Sequence, residues 1–307
     1  MNCHPKSGLR YIMSIADWPT YRDFAFLYFE LASRVDWLEI LGRRALSEQL
    51  AELCKDERNV IIIWGYRCPD IPVDRKAIVM LGYSEAYADD RDVMLTPHHK
   101  WLDNFRGWQA PQVDAVLCHT PFMAKKVVAG LAVPGYVLPM GWGKTMGSPN
   151  WSAKKIHRFT YNGVGAGKRA WLVPAMEGCM KGALHNASGT WMTDLNQTLN
   201  ASRASLYLSH SNVQSFSTFR IWQSVASSAA LVAEKGRDCW PMEDSDYITM
   251  PTLTTQNVEI VAARLMDIPD SHFEKVARNL HEKFAHMTID HVVDGYLIPA
   301  SEKAKAA

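Results

Sequence analysis

The chain has 307 residues, 48% of them hydrophobic, and 33 Lys+Arg against 32 Asp+Glu give a formal net charge of +1. That is long enough for two domains of ordinary size, with apolar content for sizeable cores. No apolar run reaches the length of about eighteen residues that a membrane-spanning helix needs, and the six scattered cysteines form no CxxC pair, so neither a zinc knuckle nor a disulfide framework is indicated. The N-terminal stretch MNCHPKSGLRYIMSIADWP lacks the charged, apolar and small-residue succession of an export signal. A cytoplasmic protein is therefore expected (host cytoplasm if the source is viral).

Taken in order, Tyr11–Ala16 predicts a first strand that runs into the turn or helix-entry signal Asp17-Trp18-Pro19-Thr20. Tyr21, Phe24, Leu27, Tyr28, Leu31 and Val35 follow at helical spacing. Residues 37–41 read as a strand and 44–55 as a helix. Residues 59–65 (NVIIIWG) and 76–82 (KAIVMLG) read as buried strands of a parallel sheet. Residues 83–112 are irregular, polar and aromatic, and hold Glu85, His98, His99, Trp101 and Trp108; a loop of that length points to function. Residues 113–119 predict a strand, 121–131 a helix with Pro in its first turn, and 135–138 a strand.

The stretch 139–155, PMGWGKTMGSPNWSAKK, interrupts this alternation and reads as a linker. A second alternation follows: strand 155–161, the Gly-rich turn 162–167, helix 168–180, a short strand near 183–186, helix 193–203 and strand 206–208. After it come a polar loop (209–217), helix 218–228, strands 229–233 and 246–250, helices 255–267 and 271–284, and a short helix 291–297; the last residues, 301–307, are expected to fray. Two α/β halves imply a parallel sheet in each, with ligands at the carboxyl ends of the strands.

The stretch 206–234, LYLSHSNVQSFSTFRIWQSVASSAALVAE, is the most informative. Its hydroxyl-rich loop ends at a helix start, where unpaired backbone N–H groups and the helix dipole favour an anion. Ser215, Ser217 or Thr218 can cap that helix and face a phosphate, and Arg220 and Gln223 lie three residues apart on an adjoining face. The plain alternative is an ordinary βαβ unit with a capped helix. Charge is uneven as well: residues 101–190 carry ten Lys/Arg against three acids, which suggests an anionic ligand or partner, with a solvated face as the plain alternative.

Several motifs in order resemble the GT-B nucleotide-sugar glycosyltransferases, in particular their group-1-like, spore-maturation-protein-type branch. They are a strand followed by Pro139-x-Gly141; RFTYNG followed by Lys168-Arg169; LNASRASLYLS (199–209); the arginine-led helix, small-residue turn and strand of Ser217–Glu234; and His286-Met287-Thr288 before a short helix. The pattern covers roughly residues 113–298 and rests on order and spacing more than on any one motif. The resemblance implies an α/β fold of two Rossmann-like domains facing a cleft. It divides the chain into an N-terminal acceptor domain (1–140), a linker (141–155), a C-terminal donor-binding domain (156–288) and a C-terminal helix and tail (289–307). It also implies a UDP-sugar or other nucleotide-sugar donor as co-substrate, with no cofactor and no metal. Donor-binding candidates are Gly163, Lys168, Arg169, Ser215, Phe216, Ser217, Thr218, Arg220 and Gln223. The family usually carries a Glu where Gln223 stands, accepting hydrogen bonds from the donor ribose; an amide accepts without charge and also donates.

An inverting enzyme needs a base for the acceptor hydroxyl, expected at a strand end of the N-terminal half. Asp17 leads; Glu85, His98 and His119 follow, while Asp17 as a helix cap and His119 as a cap for the helix at Pro121 are the plain alternatives. The acceptor class stays open between a glycan or small molecule and a hydroxymethylated pyrimidine in bacteriophage DNA, which the basic stretch and the loop residues Trp101, Trp108, Trp142 and Trp151 would suit. A degenerate protein that binds a nucleotide or nucleic acid without turnover is the non-enzymatic alternative. GVGAGK (163–168) lacks the spacing of a P-loop, and the triplets Asp90-Arg91-Asp92 and Asp244-Ser245-Asp246 are weak metal signals. His98-His99 has no partner at metal spacing.

Overall fold

The structure, a computed structural model, describes residues 4, 6–15, 38–41, 43–64, 69–83, 107, 110–163, 165, 167–190, 192–209, 218–236 and 238–306. The chain divides into two compact units. The described residues up to Gly141 and those from Thr288 onward form unit 1; Trp142–Met287 belongs to unit 2.

Among the described residues, unit 1 is built on six parallel strands: β1 (Arg10–Ile15), β2 (Leu38–Leu41), β3 (Asn59–Trp64), β4 (Ile78–Tyr83), β5 (Ala115–Cys118) and β6 (Gly135–Val137), in the order β2-β1-β3-β4-β5-β6. The apolar run NVIIIW makes β3, and all six of its residues are buried, as a central parallel strand requires. Helix α1 (Arg43–Leu53) contributes Leu46 and Leu50, and α2 (Pro121–Val127) contributes Met123, Ala124 and Val127, to a core on one face of this sheet. The cap of α2 is Thr120, whose Oγ1 accepts the Met123 N–H at 3.1 Å; His119 does not fill that role.

Unit 2 has five parallel strands: β7 (His157–Tyr161), β8 (Leu184–Asn186), β9 (Ser202–Tyr207), β10 (Ala230–Glu234) and β11 (Ile248–Met250), in the order β11-β10-β9-β7-β8. Its helices are α3 (Arg169–Met180), α4 (Met192–Asn200), α5 (Thr218–Val225), α6 (Val258–Met266) and α7 (Asp270–Phe284). Leu172, Val173 and Met176 of α3, Val261 and Leu265 of α6, and Phe273 and Ala277 of α7 cover one face of the sheet. Strand β9 begins at Ser202 and α4 ends at Asn200, where the sequence suggests helix to 203 and strand from 206. At the helix end the Asn200 side chain reaches beyond α4: Oδ1 accepts the N–H groups of Asn150 (2.9 Å) and Ser228 (2.8 Å). Gly147 in this neighbourhood has φ 91°, and a Cβ there would collide with the Asn196 side chain.

The chain then returns to unit 1 through α8 (Ile289–Val292), a π-helical turn (Val293–Leu297) and α9 (Ile298–Ala306). The expectation of a frayed end is corrected here: α9 packs on β4, Ser301 is fully buried with its hydroxyl on the Leu297 carbonyl (2.8 Å), and Ala304 is buried. Alanine and lysine are good helix formers, and Ile298 and the small residues Ala300, Ser301 and Ala304 face inward.

Candidate functional site

In unit 2 the strand order reverses between β7 and β9, which makes their carboxyl ends the switch point where open parallel sheets bind ligands. Four segments meet there: the turn after β7, the start of α3, the exit of β9 and the end of β10. Gly163 leaves β7 so close over Tyr161 that a Cβ would stand 2.5 Å from its hydroxyl, and its carbonyl accepts the Ser188 hydroxyl at 2.8 Å. Gly167, with φ 58°, turns the chain into Lys168 and α3.

Arg169 donates its Nε–H to the Leu208 carbonyl at 2.7 Å, and its guanidinium lies 5.7 Å from the Tyr207 ring centre. The Arg220 guanidinium on α5 donates to Gln223 Oε1 at 2.9 Å. Both arginines act on Tyr161: burial pushes its phenol up, and the charges of Arg169 and Arg220 partly offset this. Two guanidiniums from different helices therefore share one neighbourhood at the end of β7. Gln223 itself is buried, at 7% exposure.

Glu234, the last residue of β10, is the group the sequence reading missed. It is 3% exposed, pairs with the Lys168 ammonium, and accepts the Ser209 hydroxyl, the Ser209 N–H (2.6 Å) and the Leu253 N–H (2.7 Å). The one available signal was a charged residue closing the otherwise apolar strand ALVAE. Lys168, expected as a phosphate cation, thus carries a carboxylate partner.

Of the remaining donor-binding candidates, Thr218 is the first residue of α5, while Ser215, Phe216 and Ser217 lie outside the described residues. Asp17, Glu85 and His98 also lie outside them. His119 stands just past β5 in unit 1, 3% exposed, with Nδ1 3.0 Å from the Leu138 carbonyl and its ring stacked on Trp64 (5.4 Å between centroids, 8° between planes). Trp64 lies over Gly82 on β4, where a Cβ would collide with the indole. Burial lowers the His119 pKa to about 4. The imidazole is therefore neutral at physiological pH, its Nδ1–H directed to Leu138 and Nε2 carrying the lone pair.

Elsewhere, the acids of the 244–246 triplet are engaged in pairs, Asp244 with Lys235 and Asp246 with Lys283. In the basic stretch, Lys155 donates to the Asn200 carbonyl (2.8 Å) and to the Ser228 carbonyl (2.9 Å) and hydroxyl (2.7 Å). Arg158 is held by Asp270 and by the Met266 and Ile268 carbonyls. With Lys168 and Arg169, four of the ten basic residues are held inside unit 2.

The sequence matches no family model and no curated protein. Solved structures do match. A HepE protein of Anabaena, in complex with UDP and glucose, is 8% identical with a TM-score of 0.67 over 97% of this chain and 100% of that one. The pneumococcal O-GlcNAc transferase GtfA, with UDP and GlcNAc, is 11% identical with a TM-score of 0.60 over 86% of this chain, and TarM is 10% identical with a TM-score of 0.58 over 82%. The chain spans 61% of the length of GtfA and 56% of that of TarM. At these identities the likeness establishes the fold: two α/β units with parallel sheets, as in the GT-B glycosyltransferases.

Proposed function

We propose that the chain moves a sugar from a UDP-sugar to an acceptor hydroxyl, with unit 2 holding the donor. The observation that carries this reading is the GT-B fold over nearly the whole chain, matched end to end by a protein solved with UDP and glucose. Breaking the bond between sugar and diphosphate leaves negative charge on the departing oxygen, and fixed donors and cations aimed at that charge lower the barrier. Arg169 and Arg220 are the proposed cations. Gly163 gives the phosphates room to approach, and Ser215, Phe216, Ser217, Thr218 and the first backbone N–H groups of α5 are the proposed donors at the helix start. Lys168 contributes as half of its pair with Glu234. Gln223, its Oε1 engaged by Arg220, offers its amide N–H groups to a ribose hydroxyl.

On this reading unit 1 serves the acceptor, and Asp17, Glu85, His98 and His119 are the groups proposed to act on the acceptor hydroxyl. A base works best with a pKa near the operating pH, so His119, at about 4, suits orienting the hydroxyl better than taking its proton. The proposed acceptor is a glycan or small molecule. A hydroxymethylated pyrimidine in DNA is the second reading, favoured by Lys125, Lys144, Lys154 and Lys181, which remain exposed, and weakened by the four basic residues held inside unit 2.

The test is a donor screen of UDP-, GDP- and TDP-sugars, with and without hydroxymethylcytosine-containing DNA, read by mass spectrometry. Donor hydrolysis without transfer to DNA is expected, and it should fall at least tenfold in Arg169→Ala and Arg220→Ala, because each removes a charge-assisted contact to the leaving group. A sugar mass on the nucleoside would instead establish the DNA acceptor. Failure to turn over or bind any donor would favour a degenerate binding protein.

A further inference from the structure

A buried ion pair is a poor choice for stability alone, because desolvation offsets most of its attraction and an apolar pair of the same size serves as well or better. Lys168 and Glu234 have side chains only 7% and 3% exposed. What an apolar pair could not reproduce is the geometry. Glu234 closes the strand between β9 and β11, paired with Met250 on one side and one residue beyond the Ala233–Tyr207 pairing on the other. From there its carboxylate gathers four donors: the Lys168 ammonium, the Ser209 N–H, the Ser209 hydroxyl and the Leu253 N–H. Arg169, the next residue after Lys168, holds the carbonyl of Leu208, the residue before Ser209. The exit of β9 and the start of α3 are thus clamped to each other twice, by Arg169 on one side and Glu234 on the other.

We propose that Glu234 is a positioning residue for the nucleoside diphosphate: it contacts none of the ligand and fixes where Arg169 and the chain leaving β9 stand. The inference rests on the donor site proposed above. A carboxylate near a diphosphate also repels it, so removing the charge alone would mix two opposite effects. In the folded protein the ammonium in contact cancels most of that repulsion, which leaves geometry as the larger contribution.

The test therefore keeps charge constant and measures UDP binding by calorimetry on the full chain. Glu234→Asp retains the charge but draws the carboxylate back by one methylene. Its dissociation constant for UDP should rise about tenfold, an affinity equivalent of losing a well-placed charge-assisted hydrogen bond. In a second pair both charges are gone. The Ser209 and Leu253 N–H groups sit on different carboxylate oxygens, so K168M/E234Q keeps an amide oxygen for one of them and K168M/E234L for neither; the leucine variant should bind UDP about tenfold more weakly than the glutamine variant. If either Lys168 double variant fails to fold, Glu234→Asp decides alone. Dissociation constants within twofold of each other, in folded protein, would overturn the proposal. So would a Glu234→Gln variant that binds UDP more tightly than wild type, since it would make the carboxylate an electrostatic brake. A wild-type chain that binds none of UDP, GDP and TDP would remove the donor-site reading itself and this inference with it, before any variant is compared.

Discussion

Burial decides the protonation of His119, and the consequence can be measured. Its folded-state pKa, about 4, lies below the ordinary value of 6.5 because the charged ring would lose its solvation. The unfolded chain therefore takes up the proton first. Stability from this residue is complete above about pH 6.5 and is lost as the pH falls toward 4, to a total of about 3 kcal/mol. His119→Gln cannot take up that proton. The denaturant stability of wild type should thus fall by about 2 kcal/mol more than that of the variant between about pH 7 and pH 5. Parallel pH dependence of the two proteins would show that the ring is solvated. The same property keeps the ring neutral and stacked on Trp64, with its Nδ1–H on the Leu138 carbonyl, across the physiological pH range.

At the scale of elements, Asn200 joins three of them. Its Oδ1 accepts from Asn150, from the Ser228 N–H and from the Ser228 hydroxyl (3.0 Å), and its Nδ2–H groups donate to the Ser148 carbonyl (2.9 Å) and to Asn196 Oδ1 (2.9 Å). The end of α4, the segment 148–150 and the turn after α5 meet on one buried amide. Asn200→Ala would leave several buried polar groups without partners at about 1–3 kcal/mol each, so a loss of roughly 3–5 kcal/mol is expected in urea unfolding. Asn200→Asp keeps one acceptor but sets a carboxylate oxygen against the Ser148 carbonyl and Asn196 Oδ1, so it should lose at least as much. These contacts also explain what could be read beforehand. The strands of both units were legible because runs such as NVIIIW and ALVA carry their burial in their composition. The start of β9 was not, because Ser202 and Arg203 read as the end of the preceding helix and Ala204-Ser205 as the loop after it, until the neighbours β7 and β10 supply the pairing. The arginines of the candidate site were legible as a pair of motifs at helix starts. Glu234 was not, since its partners lie 66, 25 and 19 residues away in sequence. A hub built from distant backbone N–H groups leaves no local spacing to detect.

The course of the whole chain sets the last expectation. It builds most of unit 1, then the described residues of unit 2 from Trp142 to Met287, and only afterwards adds α8, the π-helical turn and α9 to unit 1. Ile289, Val292, Val293, Leu297 and Ile298 are each at most 6% exposed, and Lys6 near the N-terminus pairs with Asp294. Burying side chains of this kind contributes about 1.5–3 kcal/mol apiece, roughly 8–15 kcal/mol together, which matches the entire stability of an ordinary domain. Unit 1 without its last segment has no margin to remain folded. Unit 2 has its own core, drawn from residues between Phe159 and Ala277. Deleting 288–307 should accordingly remove one of two thermal transitions and leave the other near its original midpoint. On the proposed reading the truncated chain should also still bind UDP while losing transfer, because the donor residues all lie in unit 2 and the acceptor groups do not. Survival of both transitions would mean that the strands of unit 1 are held by fewer contacts than their burial implies. Loss of UDP binding with the unit 2 transition intact would place part of the donor site in unit 1.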